Sequence, residues 1–282
     1  MTNTKQPTCA IVQDISGLGR CSLGAALPVL SALGVHCMPV PTAVYTNQTG
    51  FSRFASLDCA RVLQEYPVLW REHGVAPDGI YTGFMSTGEQ LAAAQAMIDT
   101  FRPPLVLIDP VMGDDGKPYP GFNDQLCAAI AQFARQAHMI TPNVTELFLL
   151  AGHENLATVN YEEFLRAPPK EQERTLRGIC EALPQKRIVV TGWRRGIFVI
   201  NAAWDNGAFQ MYASPAIAGS WSGTGDLFAS ALCGGLLRGE SLERSMQRTV
   251  CFLQGAVGEA ARRNVPKTHG IPFEFHLKEL LN

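Results

Sequence analysis

The chain has 282 residues, with 23 Lys and Arg against 25 Asp and Glu and a formal net charge of −2 at pH 7. That balance, with no Lys/Arg run, excludes the electrostatic footprint of a nucleic-acid binder or of a protein held on an anionic membrane surface. No stretch approaches 18 uninterrupted apolar residues and residues 1–8 are polar, so the expectation is a soluble, cytoplasmic protein with a small-molecule partner.

The first apolar run, 9–13, leads into Asp14-Ile15-Ser16-Gly17-Leu18-Gly19-Arg20, and apolar residues recur at helical spacing over 23–33. The pattern is strand, Gly-rich turn, helix. Residues 36–44 read as a second strand and 58–73 as an amphipathic helix with Asp58 near its start. A third strand over 79–83 precedes a helix over 88–101. Residues 104–109 are a nearly continuous apolar run, the pattern of a strand buried on both faces of a parallel sheet, with Asp109 at its carboxyl end. A helix over 124–137 leads to a strand over 138–141 stopped by Pro142, and Asn143-Val144-Thr145-Glu146 opens the next helix as a capping box.

The polar segment 154–170 reads as short helix and surface loop. Strands over 187–191, 196–200 and 207–213 follow with little helix between them, and Asn206-Gly207 marks a hairpin turn. Helices over 227–237 and 241–263, and a short one near 273–281, complete the chain. With no repeat or low-complexity linker, the economical assembly is one α/β domain over 1–282, mostly parallel with antiparallel edge strands.

Chemistry concentrates in Gly219-Ser220-Trp221-Ser222-Gly223-Thr224-Gly225-Asp226, a Gly-rich turn joined to an apolar helix with a carboxylate at the junction. If Gly223 and Gly225 take positive φ, the amides of Thr224, Gly225 and Asp226 point into one anion-favouring cavity, reinforced by the helix dipole. A carboxylate beside such a cavity suits proton abstraction next to a phosphoryl group. In open α/β sheets the ligand lies outside the strands' carboxyl ends, which singles out Asp14, Asn47, the 109–114 loop, Asn143 with Glu146, and Thr191. The hard carboxylates of the Asp109–Asp114 loop suit magnesium, although an Asp-Asp-Gly sequence is also a common solvated turn. Glu146 needs no role beyond its cap.

No G-x-x-x-x-G-K-[ST] occurs, and in Gly17-Leu18-Gly19 through Gly24 the third glycine is two residues late for a dinucleotide fingerprint. No serine-nucleophile elbow is present either. The eight cysteines form no C-x-x-C pair and the six histidines no cluster, which fits free thiols in a reducing compartment and gives no zinc site.

Asp109-Pro110-Val111-Met112-Gly113-Asp114, Thr141-Pro142-Asn143-Val144-Thr145-Glu146, Val190-Thr191-Gly192 and Gly223-Thr224-Gly225-Asp226-Leu227-Phe228 together resemble the ribokinase-like superfamily, and within it the pyridoxal kinases. The motifs stand in that family's order over most of the chain. Hydroxymethylpyrimidine kinases share the Asp-Pro-Val-Met loop but typically carry cysteine in place of Asp226. The resemblance implies a three-layer α/β/α sandwich and ATP-dependent phosphorylation of the 5′-hydroxymethyl group of pyridoxal, pyridoxine or pyridoxamine. By position, Asp226 would be the general base, with Gly223, Thr224 and Gly225 as the anion hole. Asp109, Asp114 and Glu146 would serve Mg2+, and Asn143, Thr191 and Gly192 would approach the phosphates of ATP. The family also brings a homodimer and admits a monovalent cation such as K+.

The substrate end departs from the family pattern. Asp14, followed by Ser16, stands where many pyridoxal kinases have a serine that meets the pyridine ring. A carboxylate there accepts from a protonated ring nitrogen or an amine, or it caps the Gly-rich turn. Asn47-Gln48-Thr49-Gly50-Phe51 matches the substrate loop with Gln48 for histidine and Phe51 for tyrosine, and Phe84 replaces a tyrosine, for ring packing or plain core packing. Arg194 and Arg195 read either as nucleotide contacts or as a solvated hairpin. Two alternatives to a vitamer kinase remain: a hydroxymethylpyrimidine kinase, and a binding protein that has lost catalysis.

Overall fold

The computed structural model describes residues 5–154, 156 and 160–281. In chain order its elements are β1 (Thr8–Ser16), α1 (Ser22–Ala32), β2 (His36–Tyr45), β3 (Ser56–Asp58), α2 (Ala60–Leu63), α3 (Tyr66–Glu72), β4 (Gly79–Thr82), α4 (Gly88–Phe101), β5 (Leu105–Ile108), β6 (Gly113–Asp114), β7 (Lys117–Pro118), α5 (Asp124–Ala134), β8 (Met139–Ile140) and α6 (Val144–His153). They continue through α7 (Tyr161–Arg166), α8 (Pro169–Ala182), β9 (Arg187–Arg195), β10 (Phe198–Asp205), β11 (Ala208–Pro215), α9 (Thr224–Leu237) and α10 (Leu242–Arg262), with 3-10 turns at Lys267–His269 and Phe273–Leu281.

Nine strands form one sheet in the order β11-β10-β9-β8-β5-β4-β1-β2-β3. The run from β9 to β2 is parallel, and both edges are antiparallel, through the β9-β10-β11 meander and through β3. Alternate strand residues serve opposite faces. Ala10, Val12, Ile80, Val106, Ile108, Ile140 and Ile188 join the core on the face carrying α4, α5, α6 and α8. Cys9, Ile11, Tyr81, Leu107, Met139 and Val189 join the core that includes α1, α9 and α10. Two buried faces explain why these strands read as continuous apolar runs. The layers are therefore helix, sheet, helix, as expected.

Several boundaries differ from the sequence reading, each for a physical reason. The first strand continues through Asp14 to Ser16, because β2 keeps pairing after a slip in register between Gln13 and Ile15. The helix expected over 58–73 is two short ones, with Pro67 fitting the start of the second. Helix α8 was missed although Gln172, Leu176, Ile179 and Cys180 form its buried face. The 124–137 helix stops at Ala134 and the C-terminal helix is 3-10. Part of the 154–170 expectation is met by α7, while residues 155 and 157–159 lie outside the described residues. Five cysteines are buried and none is in a disulfide, and no helix is long and apolar enough to cross a membrane, among the described residues.

Candidate active site

Gly223 starts the site. It sits at φ 83°, and an added Cβ would collide with the Arg20 backbone carbonyl. Only glycine fits there. The turn lets α9 begin at Thr224, whose ladder opens with Leu227 N–H donating to the Gly223 carbonyl at 3.0 Å. The amides of Thr224, Gly225 and Asp226 precede that bond and have no acceptor in the helix, so they can meet an anion with the dipole behind them. Gly225 corrects the expectation of a second positive φ: it is helical. Its missing side chain instead leaves room beside Asp109, whose Oδ2 would lie 3.8 Å from a Cβ.

Asp226 lies in the first turn of α9, with the backbone N–H of Ser22 approaching its carboxylate. Enclosure pushes its pKa up to about 6, with Asp14 adding repulsion and the Ser22 amide opposing. Sequence reasoning missed Ser22. It is a non-glycine residue at φ 47° in the first turn of α1, with its amide near Asp226 and its hydroxyl near Asp14. Nothing in the residue type announces that conformation.

From Asp226 a row of acids runs across the carboxyl ends of the strands. Asp109, just past β5, is buried and accepts from the Thr141 hydroxyl at 3.1 Å. Burial and then the charge of Asp226 raise its pKa. Glu146 is buried too, raised by burial and by Asp109. Its Oε1 accepts from Met112 N–H at 3.0 Å and its Oε2 from Asn143 N–H at 2.8 Å. The glutamate thus closes the capping box and fastens the 109–114 loop to α6. Asp114, exposed in the small β6-β7 hairpin, is raised by partial enclosure, with Lys267 and Arg194 among the opposing influences. Tyr119, at the end of the same strand-end loop, lies in the field of Glu146, Asp114, Asp109 and Asp226, and partial enclosure with that field raises its phenol.

Among the described residues no three of these side chains converge into a metal-gripping cluster. Their donors are nevertheless the hard oxygens magnesium prefers, and magnesium takes only one or two from protein when phosphates and waters complete its shell.

The residues expected near nucleotide occupy the next strands. Asn143 Oδ1 accepts from Glu146 N–H at 2.9 Å and Nδ2 donates to the Gly113 carbonyl at 2.8 Å, so much of its side chain is committed to holding loops. Thr191 pairs alongside Asn143 in an isolated parallel bridge and has its N–H on the Pro142 carbonyl at 2.9 Å. Gly192 is exposed at φ 69°, with its N–H donating to Asn201 Oδ1 at 3.1 Å where β9 and β10 slip in register. Arg194 donates to the Gly219 carbonyl at 3.1 Å, tying the β9-β10 hairpin to the phosphate turn, and Arg195 lies 4.0 Å from Glu173.

At the opposite end, Asp14 is 4% exposed and Ser16 donates to its Oδ2 at 3.2 Å. Asn47 is engaged within its own loop, accepting from the Thr46 hydroxyl and donating to the Arg53 carbonyl, both at 2.9 Å, while Thr49 is exposed. Gln48, read only as a replacement for histidine, is the anchor of that loop. It donates to the Thr268 carbonyl at 3.2 Å and the Ser222 hydroxyl at 3.4 Å, and accepts from Gly50 N–H at 2.8 Å. Phe84 belongs to an aromatic wall: its ring centroid is 6.4 Å from Tyr45 and 5.7 Å from Phe122. Tyr45 lies in turn 5.7 Å from Phe54, and Tyr119 6.3 Å from Phe122. One end of the site is polar, with the free amides at the start of α9, and the other is aromatic with a buried acid.

The family model described as phosphomethylpyrimidine kinase matches residues 22–271. A pyridoxal kinase PdxY of Rubrobacter xylanophilus is 28% identical over 281 residues, covering 89% of this chain and 87% of its own. A thiamine biosynthesis bifunctional protein ThiED of Geobacter sulfurreducens is 25% identical over 245 residues, and the match spans 46% of that longer protein. Among solved structures, a candidate phosphomethylpyrimidine kinase from Bacteroides thetaiotaomicron superposes with a TM-score of 0.87 at 29% identity, over 100% of this chain and 96% of the other. An orthorhombic form of that protein, with pyridoxal, gives 0.83 at 28% identity over 99% and 96%.

Proposed function

The chain belongs to the phosphomethylpyrimidine kinase family, and from that premise we propose that it transfers the γ-phosphoryl group of ATP to the 5′-hydroxymethyl group of a B6 vitamer: pyridoxal, pyridoxamine or pyridoxine. One observation carries the reading: Asp226, with its pKa raised to about 6, stands in the same helical turn as the unpaired amides of Thr224 and Gly225. A base and an anion hole side by side are what phosphoryl transfer to an alcohol requires.

Asp226 takes the hydroxyl proton while the amides at the start of α9 hold the transferring phosphoryl oxygens. Asp114 and Glu146 would hold Mg2+, directly or through water, with Asp109 in support, and the acid row fits a cation because burial and then the charge of neighbouring acids raise Asp109 and Glu146, both of which a cation would relieve. Bound magnesium supplies charge neutralisation at the phosphates. Thr191 and Gly192 would flank the phosphates of ATP. A monovalent cation such as K+ would assist, and titrating activity with K+ checks it.

We also read the 282-residue chain as one kinase domain, working in the cytoplasm as a homodimer, with Leu57, Val62 and Leu69 as exposed apolar side chains available to a partner copy. Light scattering of the purified protein checks the dimer.

A hydroxymethylpyrimidine substrate is the second reading, favoured by the carboxylate at Asp14. The presence of Asp226 where those kinases typically have cysteine favours the vitamer. Measuring ADP release with each vitamer and with hydroxymethylpyrimidine decides between them. The expected result is the highest kcat/KM on a vitamer. Nucleotide binding with no turnover of any of them would instead indicate a binding protein.

A further inference from the structure

Three buried polar side chains lie behind the first turn of α9 and take no part in the chemistry described above. They are Tyr81 on β4, Gln13 on β1 and Ser230 on α9, each 0% exposed. Tyr81 Oη donates to the Asp226 carbonyl at 3.5 Å. The Ser230 hydroxyl, one helical turn after Asp226, and the Gln13 side chain both approach the phenol. Gly83 makes space for Gln13, because an added Cβ would lie 2.6 Å from its Nε2.

The fold alone does not call for this polarity. Among the described residues neither amide atom of Gln13 nor the Ser230 hydroxyl has a hydrogen-bond partner, and Ile11, Leu107, Leu227 and Ala231 belong to the core that also holds Tyr81. Buried polar groups in such a setting cost free energy, and apolar side chains of matching shape would avoid that cost. The polar group they adjoin is the backbone of Asp226. Burial and then the charges of Asp109 and Asp226 push the Tyr81 phenol up, so it keeps its proton beside two acids and remains a donor.

In a helical ladder the Asp226 carbonyl already accepts from the Ser230 N–H. A second donor from β4 ties that carbonyl to the sheet, and with it the turn that carries the Thr224 and Gly225 amides and the Asp226 carboxylate. Gly223, packed against the Arg20 carbonyl, holds the same turn from its other end. We propose that Tyr81, backed by Gln13 and Ser230, is a positioning residue for the transfer step, fixing the first turn of α9 from the sheet side so that base and anion-hole amides keep one register. The proposal rests on the kinase reading above. Tyr81 acts through Asp226 and touches no substrate.

The test is single-turnover phosphorylation by the full-length enzyme with saturating ATP, in wild type, Tyr81→Phe and Ser230→Ala. The substrate is whichever of pyridoxal, pyridoxamine, pyridoxine and hydroxymethylpyrimidine wild type turns over fastest. Rate constant and amplitude are read separately, because loss of folded protein lowers the amplitude whereas a displaced base lowers the rate constant at full amplitude. Tyr81→Phe is expected to lower the rate constant roughly 5–50-fold, with amplitude and half-saturating concentrations of both substrates within about twofold of wild type. Ser230→Ala should lower it about 2–5-fold. A folded Tyr81→Phe that keeps the wild-type rate constant, or that loses only amplitude or only substrate affinity, overturns the proposal and leaves the kinase reading standing. If Tyr81→Phe yields no folded protein, Ser230→Ala decides, and a wild-type rate constant there overturns the proposal. If wild type phosphorylates none of the four compounds, the kinase reading itself falls and the proposal falls with it.

Discussion

Asp226 and Asp14 are the same residue type in one enclosure, and the chain supports them in different ways. Asp226 is placed at the start of a 14-residue helix, with the backbone N–H of Ser22 close by. Asp14 is placed at a slip in strand register, where the Ser16 hydroxyl donates to one oxygen and the other is left alone. Backbone amides and a helix dipole stabilise an anion through parts of the fold that cannot rotate away, so Asp226 is built to be ionised at work. Hydroxyls can donate or accept, so Asp14 is built to be completed by whatever binds. The lesson is that burial alone does not assign a role to a carboxylate. The rigidity and sign of its partners do.

Neutralising Asp226 should break the comparison most severely. Asp226→Asn is expected to lower kcat by about 10²–10⁴-fold while leaving ATP affinity, read by calorimetry, nearly unchanged. Its effect on stability should run the other way. The folded pKa of about 6 exceeds the ordinary 3.8, so the folded state holds the proton more tightly and stability declines as pH rises through that window. At pH 8 Asp226→Asn should therefore raise Tm by roughly 2–4 °C, and near pH 3 it should not.

Gly223→Ala tests the turn that aims the amides. The strained φ and the collision with Arg20 should cost about 2–4 kcal/mol in urea unfolding, together with most of the activity. An active, stable variant would mean the amides are not set by this turn. A smaller effect is expected from Gln48→Ala, which removes the anchor between the 47–51 loop and the phosphate turn. KM for the ring substrate should rise about 3–10-fold, with kcat for turnover at saturation largely kept, because each lost hydrogen bond is worth about 1 kcal/mol.

The parallel order of the sheet and the positions of Asp109, Glu146 and Asp226 were legible because they depend on local chemistry. A continuous apolar run ending in an acid and an Asn-x-x-Glu cap each specify their own geometry, and the Gly-x-Gly-Asp turn specified its positive φ at Gly223 though not at Gly225. What stayed hidden depends on distant partners. Ser22 acquires its role only because α1 and α9 pack together, and Gln48 only because the segment near Thr268 folds back over the 47–51 loop. Helix α8 is a different case. Its buried spacing was present in the sequence, and the Pro-rich segment before it drew attention to the loop instead.

The pH dependence of single-turnover phosphorylation of pyridoxal, compared between wild type and Asp226→Asn from pH 5 to 8, tests the central claim most directly. With Asp226 as the base, the wild-type rate should fall about tenfold per unit below a pKa near 6, while the variant is slow and lacks that limb. A variant that is slow yet keeps the same acid limb, or that matches the wild-type rate, would contradict the assignment of Asp226 as the hydroxyl-activating base.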